Sequence, residues 1–302
     1  MASRLWCSRE FVLEAVAREP LVLKFADNSM KRDRAVVLAA VARKGSALEF
    51  ADASLKRDRS IVFAAVKQDS GALEFADESL RRDATVVLTA LLEEDEDWSA
   101  FQFADDSIKA NRDVVLVAVA RNAFALQFAD ASLKRDRNVV LAAISNHPYV
   151  GLRDADDSLR SDREIVMAAV KQDGTSFYHA DDSLKRDRGV VLAAIAQDEW
   201  QDGCSALEFA DNSLKRDRDV VLAAVAQYGS ALEFADASLK GDRDVVLLAV
   251  AQDGAALEFA DESLKRDRDF VLAAVKRNGT ALKYAKPSFK RDRGIVFAAV
   301  AQ

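Results

Sequence analysis

The chain has 302 residues, of which 50% are hydrophobic and 31% charged, with a formal net charge of −7. That is enough apolar material for a substantial core, and so mild an acidity gives no global pull toward nucleic acid or anionic lipid. Two cysteines, Cys7 and Cys204, exclude a disulfide scaffold and point to an intracellular, reducing, by default cytoplasmic setting.

Arg9, Glu10, Glu14 and Arg18 interrupt the first 22 residues, which argues against a secretory signal. No apolar run approaches the ~18 residues of a membrane span, so no membrane insertion is expected. Residues 11–16 begin a series of twelve apolar blocks that ends at 295–300. From Ser29 onward one motif dominates: Ala-Leu-Glu-Phe-Ala-Asp-x-Ser-Leu-Lys-Arg-Asp-Arg-x-Val-Val-Leu-Ala-Ala-Val. Its serine recurs from Ser29 to Ser288, and seven of the ten intervals are 25 residues. The repeat is therefore the folding unit.

Just before each apolar block stands Ser8, Asp33, Asp58, Asp83, Asn111 or an equivalent aspartate. Only side chains that accept bonds from free amides occupy this column, so it reads as the N-cap of a helix A. Gly45, Gly174, Gly229, Gly254 and Gly279 follow twelve residues after the cap and suit a left-handed helix end. Helix A is thus predicted at about eleven residues. Val36, Val37, Leu38, Ala40 and Val41 surround it with apolar groups, which predicts cover on more than one side. Helix B, Ala-Leu-Glu-Phe-Ala as at 47–51, is too short to survive alone. A second capping column, Asp27, Asp52, Asp77 and onward, opens a short turn that leads to the next helix A. One repeat buries too little to offset the ordering of its backbone, so only a stack is stable. The expectation is a single all-α domain over 1–302, an α-solenoid of eleven to twelve two-helix repeats that begins and ends within a repeat. Helices packed ~8–10 Å apart would extend it over roughly 100 Å.

Three longer intervals place extra residues in the same A–B loop: the acidic run 93–97 before Trp98, one residue near His147, Pro148 and Tyr149, and residues 198–204 around Trp200. Two copies depart from the motif, with Asp154 and His179 at the Phe position. The repeat resembles the one catalogued as domain of unknown function 4116, and the resemblance covers essentially the whole chain. It implies a helical repeat protein and supplies no catalytic residue or ligand.

Two candidate surfaces follow. The first is a basic edge at the helix A starts, represented by Lys56, Arg57, Arg59, Lys134, Arg135, Arg137, Lys215, Arg216 and Arg218. Arginines at helix starts form natural anion sites, and a polyanion or nucleic acid could lie along them by charge alone. Against this, the capping aspartates sit among the cations, and no aromatic column alternates with them as a stacking platform would. The second is the set of inserted loops with Trp98, Tyr149 and Trp200, since insertions map to one solenoid edge; alternatively each Trp folds back over its own helix. Metal, cofactor and catalytic signatures are not found: His147 and His179 lack zinc-spaced companions, and there is no phosphate loop or nucleophile elbow. The functional expectation is a non-catalytic scaffold for an unknown protein partner, with sequence-independent polyanion binding as the alternative. The apolar last block, 295–302, lacks a polar cap, which implies either further chain or self-association through the ends.

Overall fold

A computed structural model describes residues 5–92, 98–197 and 206–301, and all regular structure among them is helical. The chain divides into two compact units, Met1–His147 and Pro148–Gln302. Each is a short α-solenoid made from the same repeat. No helix among the described residues is long and apolar enough to cross a membrane.

A representative copy in the first unit runs through an A helix, Arg34–Val41, a B helix, Gly45–Phe50, and a linking turn, Ala53–Lys56. The next A helix follows at Arg59–Gln68. The Asp33 carboxylate starts the A helix by accepting from the Ala35 and Val36 amides at 2.9 and 3.1 Å. Asp58, Asp83, Asn111 and Asp136 do the same in the first unit. Each such cap is worth about 1 kcal/mol. Ser8 sits at the same place but makes no side-chain cap bond.

The B helix is not an α-helix in most copies but a six-residue 3₁₀ helix, a form that persists only in short pieces. A third capping column starts it. Asp69, Asn122, Asp173, Asp253 and Asn278 accept from the amide two residues on. The copy with one extra residue instead forms an α-helix, Pro148–Arg153. An α-helix rises ~1.5 Å per residue against ~2.0 Å for 3₁₀, so the added residue is absorbed without lengthening the segment.

The glycines after helix A do not take the expected left-handed conformation. The chain leaves helix A through an extended residue, such as Asp173 at φ −150° and ψ 107°, and Gly174 then opens the B helix. Ser70 and Ala123 hold this place in other copies; at Gly174 and Gly279 the reason for glycine is close approach. A methyl group on Gly174 or Gly279 would stand 2.5 Å from the carbonyl oxygen of Ala194 or Ala299, in the next A helix.

In both units successive A helices lie side by side, as do successive B segments, which gives two layers. Val36, Val37, Ala40 and Val41 from the A layer meet Ala47 and Leu48 from the B layer, and all six are fully buried. Each buried Val or Leu contributes about 1.5–3 kcal/mol. Leu38 and Ala39 are only half-buried, so helix A is covered on less of its surface than its composition predicts.

Candidate interaction surfaces

The basic edge is built by the capping columns. In the linking turn, Asp52 Oδ1 accepts from the Ser54 amide and hydroxyl at 3.0 and 2.7 Å, which explains the repeated serine. The Asp52 amide itself donates to the Lys31 carbonyl of the preceding copy at 3.0 Å. Oδ2 remains, and Arg32 of the preceding copy reaches it at 3.0 Å. Arg57 meets Asp77 at 2.9 Å and Arg216 meets Asp236 at 3.0 Å in the same way. The Ser79 hydroxyl and the Arg57 guanidinium together hold the Asp77 carboxyl down at about 2, well below the usual carboxylate range.

A second ladder runs beside the first. The first residue of an A helix is an arginine except at Ala84, and in most copies it reaches the N-cap aspartate of the following A helix. Arg34 to Asp58, Arg59 to Asp83 and Arg112 to Asp136 form it in the first unit at 2.7–3.0 Å. Arg163 to Asp187, Arg188 to Asp217, Arg218 to Asp242 and Arg268 to Asp292 form it in the second, at 2.7–3.0 Å. One carboxylate thus caps its own helix through Oδ1 and clasps the neighbouring copy through Oδ2. The lysines turn inward along the edge: Lys134 and Lys215 donate to the Gln127 and Glu208 carbonyls at 2.6 and 2.7 Å. Lys56 is half-buried, Arg135 closes a linking turn, and Arg137 opens an A helix.

Within each unit these ties join neighbouring copies, and sequence comparison has the same grain. The model of the family described as domain of unknown function (DUF4116) matches residues 8–56, 58–109, 92–134, 111–151, 136–185, 187–240, 242–290 and 267–302. The chain belongs to this family. Most of the matched spans take in two DUF4116 copies, the smallest piece in which a ladder rung can close. No curated protein and no solved structure matches the chain.

Of the inserted loops of this DUF4116 array, Tyr149 is half-buried, with its ring edge-on to His179 at 4.3 Å between centroids. Trp98 begins the 3₁₀ helix Trp98–Phe103. Trp200 and the acidic run 93–97 lie outside the described residues. No group of three or more metal-ligating side chains occurs among the described residues.

A surface the motif reading missed lies on the A layer, away from B. Leu38, Phe63, Leu88, Leu116 and Leu141 are half-buried in five successive A helices of the first unit, and Val117 beside them is 40% exposed. The second unit repeats the row with Leu192, Leu222, Leu247 and Leu272, again half-buried. There the exposed Asp219, Asp244 and Asp269 stand one turn earlier on the same helices. Arg188 and Arg218 touch Asp219 and Asp244 at 3.1 and 3.5 Å while already clasping Asp217 and Asp242. Each of these arginines faces two carboxylates, so the rim of the row carries excess negative charge. The available signal was spacing: the Leu three residues after the variable position after Arg shares its face.

Proposed function

We propose that the protein is a non-catalytic scaffold whose A-layer face holds a protein segment with apolar side chains flanked by basic ones. The observation that carries this reading is the half-exposed leucine row of the second unit with Asp219, Asp244 and Asp269 along its rim. Apolar groups left half in water on consecutive helices gain by being covered, and a negative rim steers a basic partner toward them. The alternative, a polyanion along Arg57, Arg59, Arg216 and Arg218, must compete with Asp77, Asp83, Asp236 and Asp242 for guanidinium groups already engaged. That competition weighs against it.

The test measures fluorescence anisotropy of two labelled probes, an amphipathic Leu/Lys peptide and a heparin fragment, at physiological salt. The reading expects the peptide to bind and Leu247→Asp to weaken it about tenfold, equivalent to about 1.4 kcal/mol. Heparin should bind negligibly. Strong heparin binding that falls in Arg216→Ala and Arg218→Ala, with peptide binding indifferent to Leu247→Asp, would replace this reading with the polyanion one.

A further inference from the structure

The linking-turn ladder is not complete. Arg32, Arg57, Arg82, Arg186 and Arg216 reach Asp52, Asp77, Asp105, Asp211 and Asp236 at 2.9–3.2 Å. All five of these aspartates are half-buried. In three copies the arginine is replaced by Ala110, Ser161 or Gly241, and the aspartates they would have met, Asp130, Asp181 and Asp261, are all exposed. The arginine is therefore what covers the carboxylate. At Asp181, Oδ1 accepts from the Ser183 amide and hydroxyl at 2.9 and 2.6 Å. The other oxygen, which arginine grips elsewhere, meets no cation in an ion pair among the described residues.

Asp181 differs from the other two in its surroundings. It lines a cavity of about 260 Å³ with Asp157, Arg160, His179, Ala180 and Asp182. Three carboxylates there face one guanidinium, and Arg160 is already bonded to Asp157. Lys185 pairs with Asp182 at 3.2 Å and lies near enough to Asp181 and His179 to act on both by charge, without an ion pair to Asp181. The aromatic column is broken at this point, so the wall carries the His179 imidazole instead of a phenyl ring. Its Nε2 is buried and finds no hydrogen-bond partner among the described residues. At Asp261, by contrast, the neighbouring Glu262 collects Lys265, Arg266 and Lys286 at 2.8–3.9 Å. At Asp130 the neighbour is the uncharged Ala131. Of these three open carboxylates, Asp181 is the one that lines this cavity, with Asp157 and Asp182 on its rim.

We propose that this cavity binds the guanidinium of an arginine side chain presented by a protein partner, taking up the contact that Ser161 cannot make. A planar fork of donors suits the free Asp181 oxygen, as the arginines on the equivalent aspartates of five other copies do, and the His179 ring in the cavity wall reports its arrival. The inference rests on the scaffold reading only in taking a protein as the source of the arginine. The binding itself is independent of the leucine row.

The full chain is titrated with the blocked tripeptide Gly-Arg-Gly and with its citrulline counterpart, which keeps the shape and removes the charge. His179 and His147 are the only histidines, so imidazole NMR signals report the site with an internal control. The arginine peptide should move the His179 signals saturably and leave His147 unmoved, with citrulline at least about tenfold weaker. Ser161→Arg fills the position from within and should abolish the response. Asp181→Asn keeps a capping side chain, as Asn111 does elsewhere, and should abolish it too. Leu247→Asp should leave it unchanged, so that failure of the leucine row and failure of this site give different results. Equal responses to the two peptides, still His179 signals, or binding that survives Ser161→Arg would each overturn the proposal.

Discussion

The regular copies of the first unit and the two irregular copies that open the second carry out the same packing with different materials. Around Leu48 and Leu73 the B segment offers Ala, Leu, Glu and Phe, with the Ala and Leu fully buried. At 176–179 the same positions hold Ser176, Phe177, Tyr178 and His179. Bulk has moved inward: Phe177 is buried where a leucine usually stands, while His179 takes the outer phenylalanine position half-buried. In the copy before it Asp154 fills that outer position, tied through both oxygens to Arg153 at 2.8 and 2.9 Å. The stack thus demands filled volume at the inner position and accepts polar chemistry at the outer one, because only the inner residue is enclosed by both layers. It is at the outer position that the chain stops repeating itself and acquires groups of its own.

The sharpest way to break this comparison is to empty the inner position. Leu73→Ala should lower stability by about 2–5 kcal/mol, since a fully buried leucine leaves a cavity that the close-set layers cannot collapse. Urea unfolding followed by circular dichroism checks it, and a loss below about 1 kcal/mol would mean the B layer is loosely packed. A smaller effect of opposite sign is expected in the irregular copy. Ser176 is fully buried and its hydroxyl has no partner among the described residues. Ser176→Ala restores the usual residue and should stabilise by about 1 kcal/mol in the same assay; destabilisation would show that the hydroxyl is bonded in solution.

The smallest effect concerns pH. Burial, with Arg153 and Arg160 nearby, pushes His179 down from its ordinary value to about 4. The unfolded chain takes up a proton near 6.5 that the folded chain refuses until about 4. Stability is therefore full above 6.5 and declines as pH falls from 6.5 toward 4. The capping aspartates act lower. Asp52, Asp77, Asp211 and Asp236 are held to about 2, so their contribution is present above about 3.8 and is lost as pH falls toward 2. Melting His179→Phe and the parent chain at pH 7.5 and 5.0 separates the two. The variant should lose less on acidification, and parallel losses would move the effect elsewhere.

Much of this was legible in the chain itself because a repeat compares a sequence with itself. Columns that admit only Asp, Asn or Ser announce caps, and cap geometry is local. The outer face of helix A was not legible, since a helix that is apolar all round gives no sign of which side its neighbours leave open. The glycines after helix A were misread for a related reason. A left-handed turn and a close approach of two backbones both call for the missing Cβ, and only the position of Ala194 against Gly174 tells them apart. The arginines were read as a positive edge because charge sums are blind to pairing across copies; Arg59 and Asp83 are 24 residues apart and 2.7 Å distant.

The sequence by itself determined the repeat, the helical fold and the caps, because hydrogen bonding to a helix start depends on residues two or three positions away. Only the tertiary structure decided where the cations go, which leucines stay half in water, and that Ser161 leaves Asp181 open. Those outcomes depend on which copy lies next in the stack, a relation that no local pattern contains.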